Sequence, residues 1–212
     1  MTDDLIARLA ADLKPVRRTA LRERLAAVIV AGLAASAALM WIWLGLRPDM
    51  AQATDTAIFW IKSAYTLVLG LLGVWAVERL GRPGAVGTAP LLAAAIGFAA
   101  VAAAALVNYM TSPAQEREAM LMGGSAAVCP FYVIVLSMPL LLVALAFMRR
   151  LAPTRPGWAG AAAGLAAGAL GAWVYSFHCT EQGLPFLAVW YSLGIAAVVA
   201  IGALLGHRIL RW

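Results

Sequence analysis

Cys129 and Cys179 are the only cysteines in the chain, and His178 adjoins the second of them. Cys129 opens one long apolar stretch and Cys179 follows the next, so two thiols 50 positions apart are expected at the same face of a membrane. In an oxidising compartment such a pair forms a disulfide where the Cα atoms come within about 7 Å. Closing the loop is worth roughly 4 kcal/mol in chain-entropy terms, an upper figure where helices already restrain its ends. Two thiolates and an imidazole also suit a soft metal ion, which makes Cys129, Cys179 and His178 a candidate ligand set, with the metal as a signal and not a required cofactor. A cationic imidazole beside a thiol favours the thiolate and hence reaction with oxidants. Residue types alone leave a structural disulfide, inert buried thiols and a sensor all open. The chain has no C-x-x-C pair, which counts against a quinone-linked thiol oxidoreductase.

The elements that must position these residues follow from composition. Hydrophobic residues make up 64% of the 212 positions and charged residues 12%, against about 25% charged in an ordinary soluble domain. A water-soluble fold cannot bury that much apolar surface. A span needs about 20 mostly apolar residues, because backbone groups left unpaired in lipid are costly. Six stretches qualify, approximately Leu25 to Leu46, Ala57 to Val77, Ala89 to Tyr109, Ala126 to Met148, Trp158 to Phe177 and Pro185 to Gly206. The fold class is therefore all-α: a polytopic bundle of six transmembrane helices over residues 25–212, preceded by a short cytoplasmic arm over residues 1–24. The first stretch is longer than the apolar region of a secretion signal and reads as a retained anchor. No room remains for a soluble enzyme domain. The formal charge of +6 is explained by the Lys and Arg bias of cytoplasmic loops, with no nucleic-acid site implied.

That bias sets the direction. One set of connections, with both ends of the chain, holds Arg8, Lys14, Arg17, Arg18, Arg22, Arg24, Arg79, Arg82, Arg149, Arg150, Arg155, Arg208 and Arg211, whereas the other holds only Arg47 and Arg117. Both termini are expected in the cytoplasm and both cysteines outside, in a bacterial inner membrane. Trp41, Trp43, Trp60, Trp173 and Trp190 would form one interfacial belt, and Trp75, Trp158 and Trp212 the other. Gly160, Gly164 and Gly168 place a bare stripe on one face of the fifth span, where another backbone can approach. Pro139 removes a backbone hydrogen bond from the middle of the fourth. Lys62, inside the second span, is expected to snorkel to the interface. No chain of buried Asp, Glu and His residues suggests a proton relay, which argues against a pump.

The arm reads MTDDLIARLAADLKPVRRTALRER, with Leu5, Ile6, Leu9 and Leu13 at helical spacing. Thr2 or Asp3 can cap this amphipathic helix, Asp3 and Asp4 suit its positive end, and Pro15 stops it. Its acidic first turn fits poorly with lying on an anionic membrane. Docking into a partner's groove and simple anchoring are both compatible with it.

Three stretches carry a family resemblance: DDLIARLAADLKPVRR from Asp3, Cys129-Pro130, and HCTEQGLPFLAVWYSLG from His178, followed by the closing GHRILRW. In this order, across the whole chain, they resemble the six-span bacterial anti-sigma factors of the NrsF type, negative regulators of an extracytoplasmic-function sigma factor. In that family a proline commonly follows the second cysteine, where this chain has Thr180. The resemblance implies a membrane-anchored anti-sigma factor and no enzyme. Leu5, Ile6, Leu9, Leu13 and Val16 would bind the sigma factor, and an envelope redox or heavy-metal signal acting through Cys129 and Cys179 would release it. The rival readings are a small metal transporter, which lacks a cytoplasmic ligand set beyond His207, and a membrane thiol oxidoreductase, which lacks a second cysteine pair.

Overall fold

A computed structural model describes residue 11 and residues 19–82 and 88–211. Within these, every regular element is helical. The apolar stretches are helices because only a helix satisfies its own backbone hydrogen bonds within lipid. They form α1 (Ala20–Trp43), α3 (Ala57–Leu80), α4 (Thr88–Thr111), α6 (Cys129–Arg149), α7 (Pro156–Tyr175) and α8 (Leu184–Ile209), each long and apolar enough to cross a membrane. Two short helices were not anticipated, α2 (Met50–Thr54) and α5 (Ala114–Met122), both in connections at the cysteine end of the bundle.

The boundaries have local causes. α1 begins at Ala20 and so takes in residues 20–24, which the sequence reading assigned to the arm; Leu25 is buried and Arg22 pairs with Glu78 of α3. It stops short of Leu46 because Gly45, at φ +73°, turns the chain and donates its N–H back to Met40. α5 ends at Gly123 in the same way, at φ +52°. Proline stands in the first turn of α6, α7 and α8, where its missing N–H costs nothing. Five residues of α8, Leu187–Tyr191, form a π-helical turn, a feature that recurs at functional sites.

α7 is the core: 83% of its apolar window is buried, against 44% or less in the other five spans. Its small residues permit this on three sides. A Cβ on Gly164 would stand 2.6 Å from the Val198 carbonyl oxygen and 2.7 Å from Val199 Cα, so α8 lies directly on the glycine stripe. Gly73 of α3 meets Ala166, and Gly171 meets Ser137 of α6. α1 sits outside this core on α6, where the Ser36 hydroxyl donates to the Leu136 carbonyl at 2.7 Å and Gly32 faces Leu140. That crossing flanks Pro139. Trp41, Trp43 and Trp60 are exposed at the cysteine end and Trp75 and Trp158 at the other, as interfacial belts require. An apolar cavity of about 720 Å³ opens between α3, α4, α7 and α8, with the Tyr65 and Ser192 hydroxyls paired at 2.7 Å on its wall.

Candidate functional site

Cys129 is the first residue of α6 and Cys179 lies in the loop that leaves α7. Both thiols are free and buried, and they belong to one cluster with Tyr175, Phe186, Leu187 and Tyr191. Residues 50 positions apart in the sequence thus share one buried cluster. The two tyrosine rings pack at 5.5 Å between centroids, and Tyr132 packs on Tyr175 at 5.8 Å. The π-helical turn ends at Tyr191, whose hydroxyl is buried with no hydrogen-bond partner among the described residues.

The backbone around Cys179 is sewn to three other parts of the chain. Lys62 Nζ donates to the carbonyls of Glu181 at 2.5 Å and Cys179 at 3.3 Å. Arg47 Nη1 donates to the same Cys179 carbonyl at 3.1 Å, and the Arg47 N–H donates to Phe177 at 3.1 Å. His178 Nδ1 meets the Gly45 carbonyl at 3.0 Å; a carbonyl only accepts, so this nitrogen carries the proton. On the other side, the Glu181 carboxylate accepts from Gly124 N and Ser125 Oγ, both at 2.9 Å, just ahead of Cys129. Two cations on one carbonyl and a carboxylate on the neighbouring turn hold the two thiol-bearing segments in register.

Lys62 therefore corrects the expectation of snorkelling. It is 1% exposed, because the loop after α7 supplies carbonyl oxygens that water would otherwise have to provide. It also stands 5.9 Å from the centre of the Tyr191 ring. With Nδ1–H on the Gly45 carbonyl, His178 keeps Nε2 as its unprotonated nitrogen. Among the described residues, no group of three or more His, Cys, Asp and Glu side chains is placed to hold a metal ion. Leu5, Ile6, Leu9, Leu13 and Val16 lie outside the described residues.

Arg47, Asp49, Lys62, Glu181, Tyr175 and Tyr191 were not read as site residues from the sequence. A signal existed for two of them. Lys62 is a cation within a span, and Arg47 is one of two basic residues in the otherwise basic-poor connections.

Arg47 is itself held by a two-point fork to Asp49, Nε to Oδ1 at 2.8 Å and Nη2 to Oδ2 at 2.7 Å. That hydrogen bonding holds the Asp49 carboxyl below its ordinary range and raises Arg47. A depressed carboxyl stabilises the fold fully above its unfolded pKa, and the contribution is lost as pH falls through the lowered folded value. Asp49→Asn is accordingly expected to lower the thermal midpoint of the detergent-solubilised protein at pH 6. The gap from the unsubstituted chain should close below the ordinary Asp value of about 3.9. Equal midpoints at pH 6 would show that the fork does not secure the loop.

A family model described as negative regulator of sigma F, NrsF, matches residues 9–212. The chain belongs to the NrsF family. It is 45% identical to the anti-sigma-F factor NrsF of Caulobacter vibrioides over 214 residues, covering 100% of this chain and 99% of that one. It is 39% identical to the probable anti-sigma-F factor NrsF of Azospira oryzae, with the same coverage of each. No solved structure matches it. In this NrsF-family chain, two of the three stretches that carry the resemblance contribute to the one buried cluster described above, through Cys129 and through Cys179, Phe186, Leu187 and Tyr191.

Proposed function

We propose that this chain is an anti-sigma factor of the bacterial inner membrane, with both termini cytoplasmic, which holds an extracytoplasmic-function sigma factor through its N-terminal arm. Leu5, Ile6, Leu9, Leu13 and Val16 form the docking face, and a redox signal at Cys129 and Cys179 releases the partner. The observation that carries this reading is the full-length likeness to proteins named anti-sigma-F factors. The orientation is supported by Arg22, Arg79, Arg149 and Arg208, all at the end of the bundle opposite the cysteines. The redox step is supported by two free thiols from different segments that are buried in one cluster. A two-electron oxidant from the envelope would take two electrons as the thiols lose two protons and join as a disulfide. Among the described residues, no group of three metal ligands forms at the thiols for the heavy-metal form of the signal.

Membranes carrying the full chain are expected to retain the sigma factor on sedimentation, and membranes carrying a chain that starts at residue 19 to lose it. Leu9→Asp with Leu13→Asp should do the same. Burying two leucines is worth about 3–6 kcal/mol together, so affinity should fall by at least ~100-fold. Retention of the sigma factor by the shortened chain would overturn the assignment.

A further inference from the structure

The two thiols do not share a helix, and the root of the arm touches both helices that serve them. Cys129 is the first residue of α6, and α1, into which the arm runs, is seated on α6. There the buried Ser36 hydroxyl donates to the Leu136 carbonyl, and Gly32 lies so close that an added Cβ would be 3.0 Å from Leu140 Cα. Cys179 connects to α3 through its own carbonyl and that of Glu181, both bonded to Lys62, besides its loop's bonds to Gly45 and Arg47 just after α1 and to Gly124 and Ser125 just ahead of α6. At the far end of α3, Glu78 Oε1 accepts from Arg22 Nε in the first turn of α1 at 2.8 Å and from Arg82 Nη2 at 2.6 Å. Leu25, one turn after Arg22, is buried in the same apolar cluster as Val77 and Leu80 of α3. Lys62 and Glu78 are 16 residues apart on one uninterrupted helix, about 24 Å along its axis.

We infer that α1 reads the relation between the two thiols as a displacement of α3 against α6. Lys62 ties the Cys179 loop to α3, Glu78 ties α3 to the root of the arm through Arg22, and Cys129 moves with the helix on which α1 is seated. A change that draws Cys179 toward or away from Cys129 must move the Lys62 anchor relative to the start of α6. α1 contacts both helices and cannot follow both, so it tilts or shifts at its arm end. The Arg22–Glu78 pair suits this task. Arg22 is largely exposed, so the pair is weak enough to break, and Glu78 is shielded enough to be the fixed side. Coupling between sites is reciprocal, so the state of the arm root must also be felt at the thiols.

That reciprocity supplies a test without a sigma factor. The inference rests on the proposed function only for what the arm delivers, and thiol labelling reads the coupling whether or not the arm binds a sigma factor. The full chain in lipid vesicles is treated with N-ethylmaleimide, and the labelling rates of Cys129 and Cys179 are followed by mass spectrometry. Lys62→Met should raise the Cys179 rate by freeing its loop. Glu78→Gln, at the opposite end, should raise it by about two- to five-fold, the range set by an exposed charge pair. Arg149→Gln, at the same end but outside these contacts, should leave it unchanged. Combining Lys62→Met with Glu78→Gln should give no more than Lys62→Met alone, because the route is already cut. A Glu78→Gln rate equal to the unsubstituted chain, or a combined effect equal to the product of the two, would overturn the link through α3. An equal rise in Arg149→Gln would show general loosening and would overturn it as well.

Discussion

Replacing either Cys129 or Cys179 by Ala is expected to abolish release of the sigma factor by oxidant, and replacing both to do no more than either alone. A disulfide needs two partners, so the singles and the double should have the same phenotype: sigma-dependent transcription that no longer rises on treatment, a response ratio of about one. This non-additivity is the signature of groups acting as a unit. Two thiols acting separately as sensors would instead leave a partial response in each single variant. The substitutions are mild for the fold, because each removes one sulfur from a cluster otherwise closed by Tyr175, Phe186, Leu187 and Tyr191. A reporter strain measures the response, and sedimentation of the sigma factor with membranes confirms that resting retention is intact. A normal response in the double variant would leave the cysteines with a structural role only.

Gly164→Val is expected to damage the bundle severely. The added Cβ would fall 2.6 Å from the Val198 carbonyl oxygen and 2.7 Å from Val199 Cα, both backbone atoms of α8 that no rotamer change can move aside. Overpacking a well-packed interior costs about 1–3 kcal/mol where side chains can yield, and more where backbone must move. Because α7 is the element on which α3, α6 and α8 all rest, separation of α7 from α8 should spread through the core. The thermal midpoint in detergent should drop by several degrees, with loss of the monodisperse species. Gly157→Ala is the control, since among the described residues nothing lies within 4 Å of its added Cβ. Equal stability of Gly164→Val and Gly157→Ala would mean that the helices are not in backbone contact there.

The six spans, their approximate limits, the segregation of basic residues to one end and the packing role of Gly160, Gly164 and Gly168 were determined by sequence alone. Each depends on residue type averaged over a helix or on spacing along a single helix, and the solvent is lipid, where backbone satisfaction leaves little choice of structure. The two cysteines were also legible as neighbours in depth, because the order of crossings places the start of the fourth span and the end of the fifth on one face.

Tertiary structure decided what surrounds them. Lys62 turns inward because a loop 117 residues away offers it two carbonyls, and no local pattern records such a partner. Arg47 reached the Cys179 carbonyl across 132 positions, and Glu181 reached Gly124 and Ser125 across more than 50, by the same kind of long-range pairing. His178 Nδ1 met the Gly45 carbonyl across 133 positions in the same way. Sequence sets which side chains are near one another along a helix and at what depth in the bilayer. Which polar groups find partners within that layer depends on the relative rotation and tilt of the helices, and these are settled only when the small residues of α7 let its neighbours close on it.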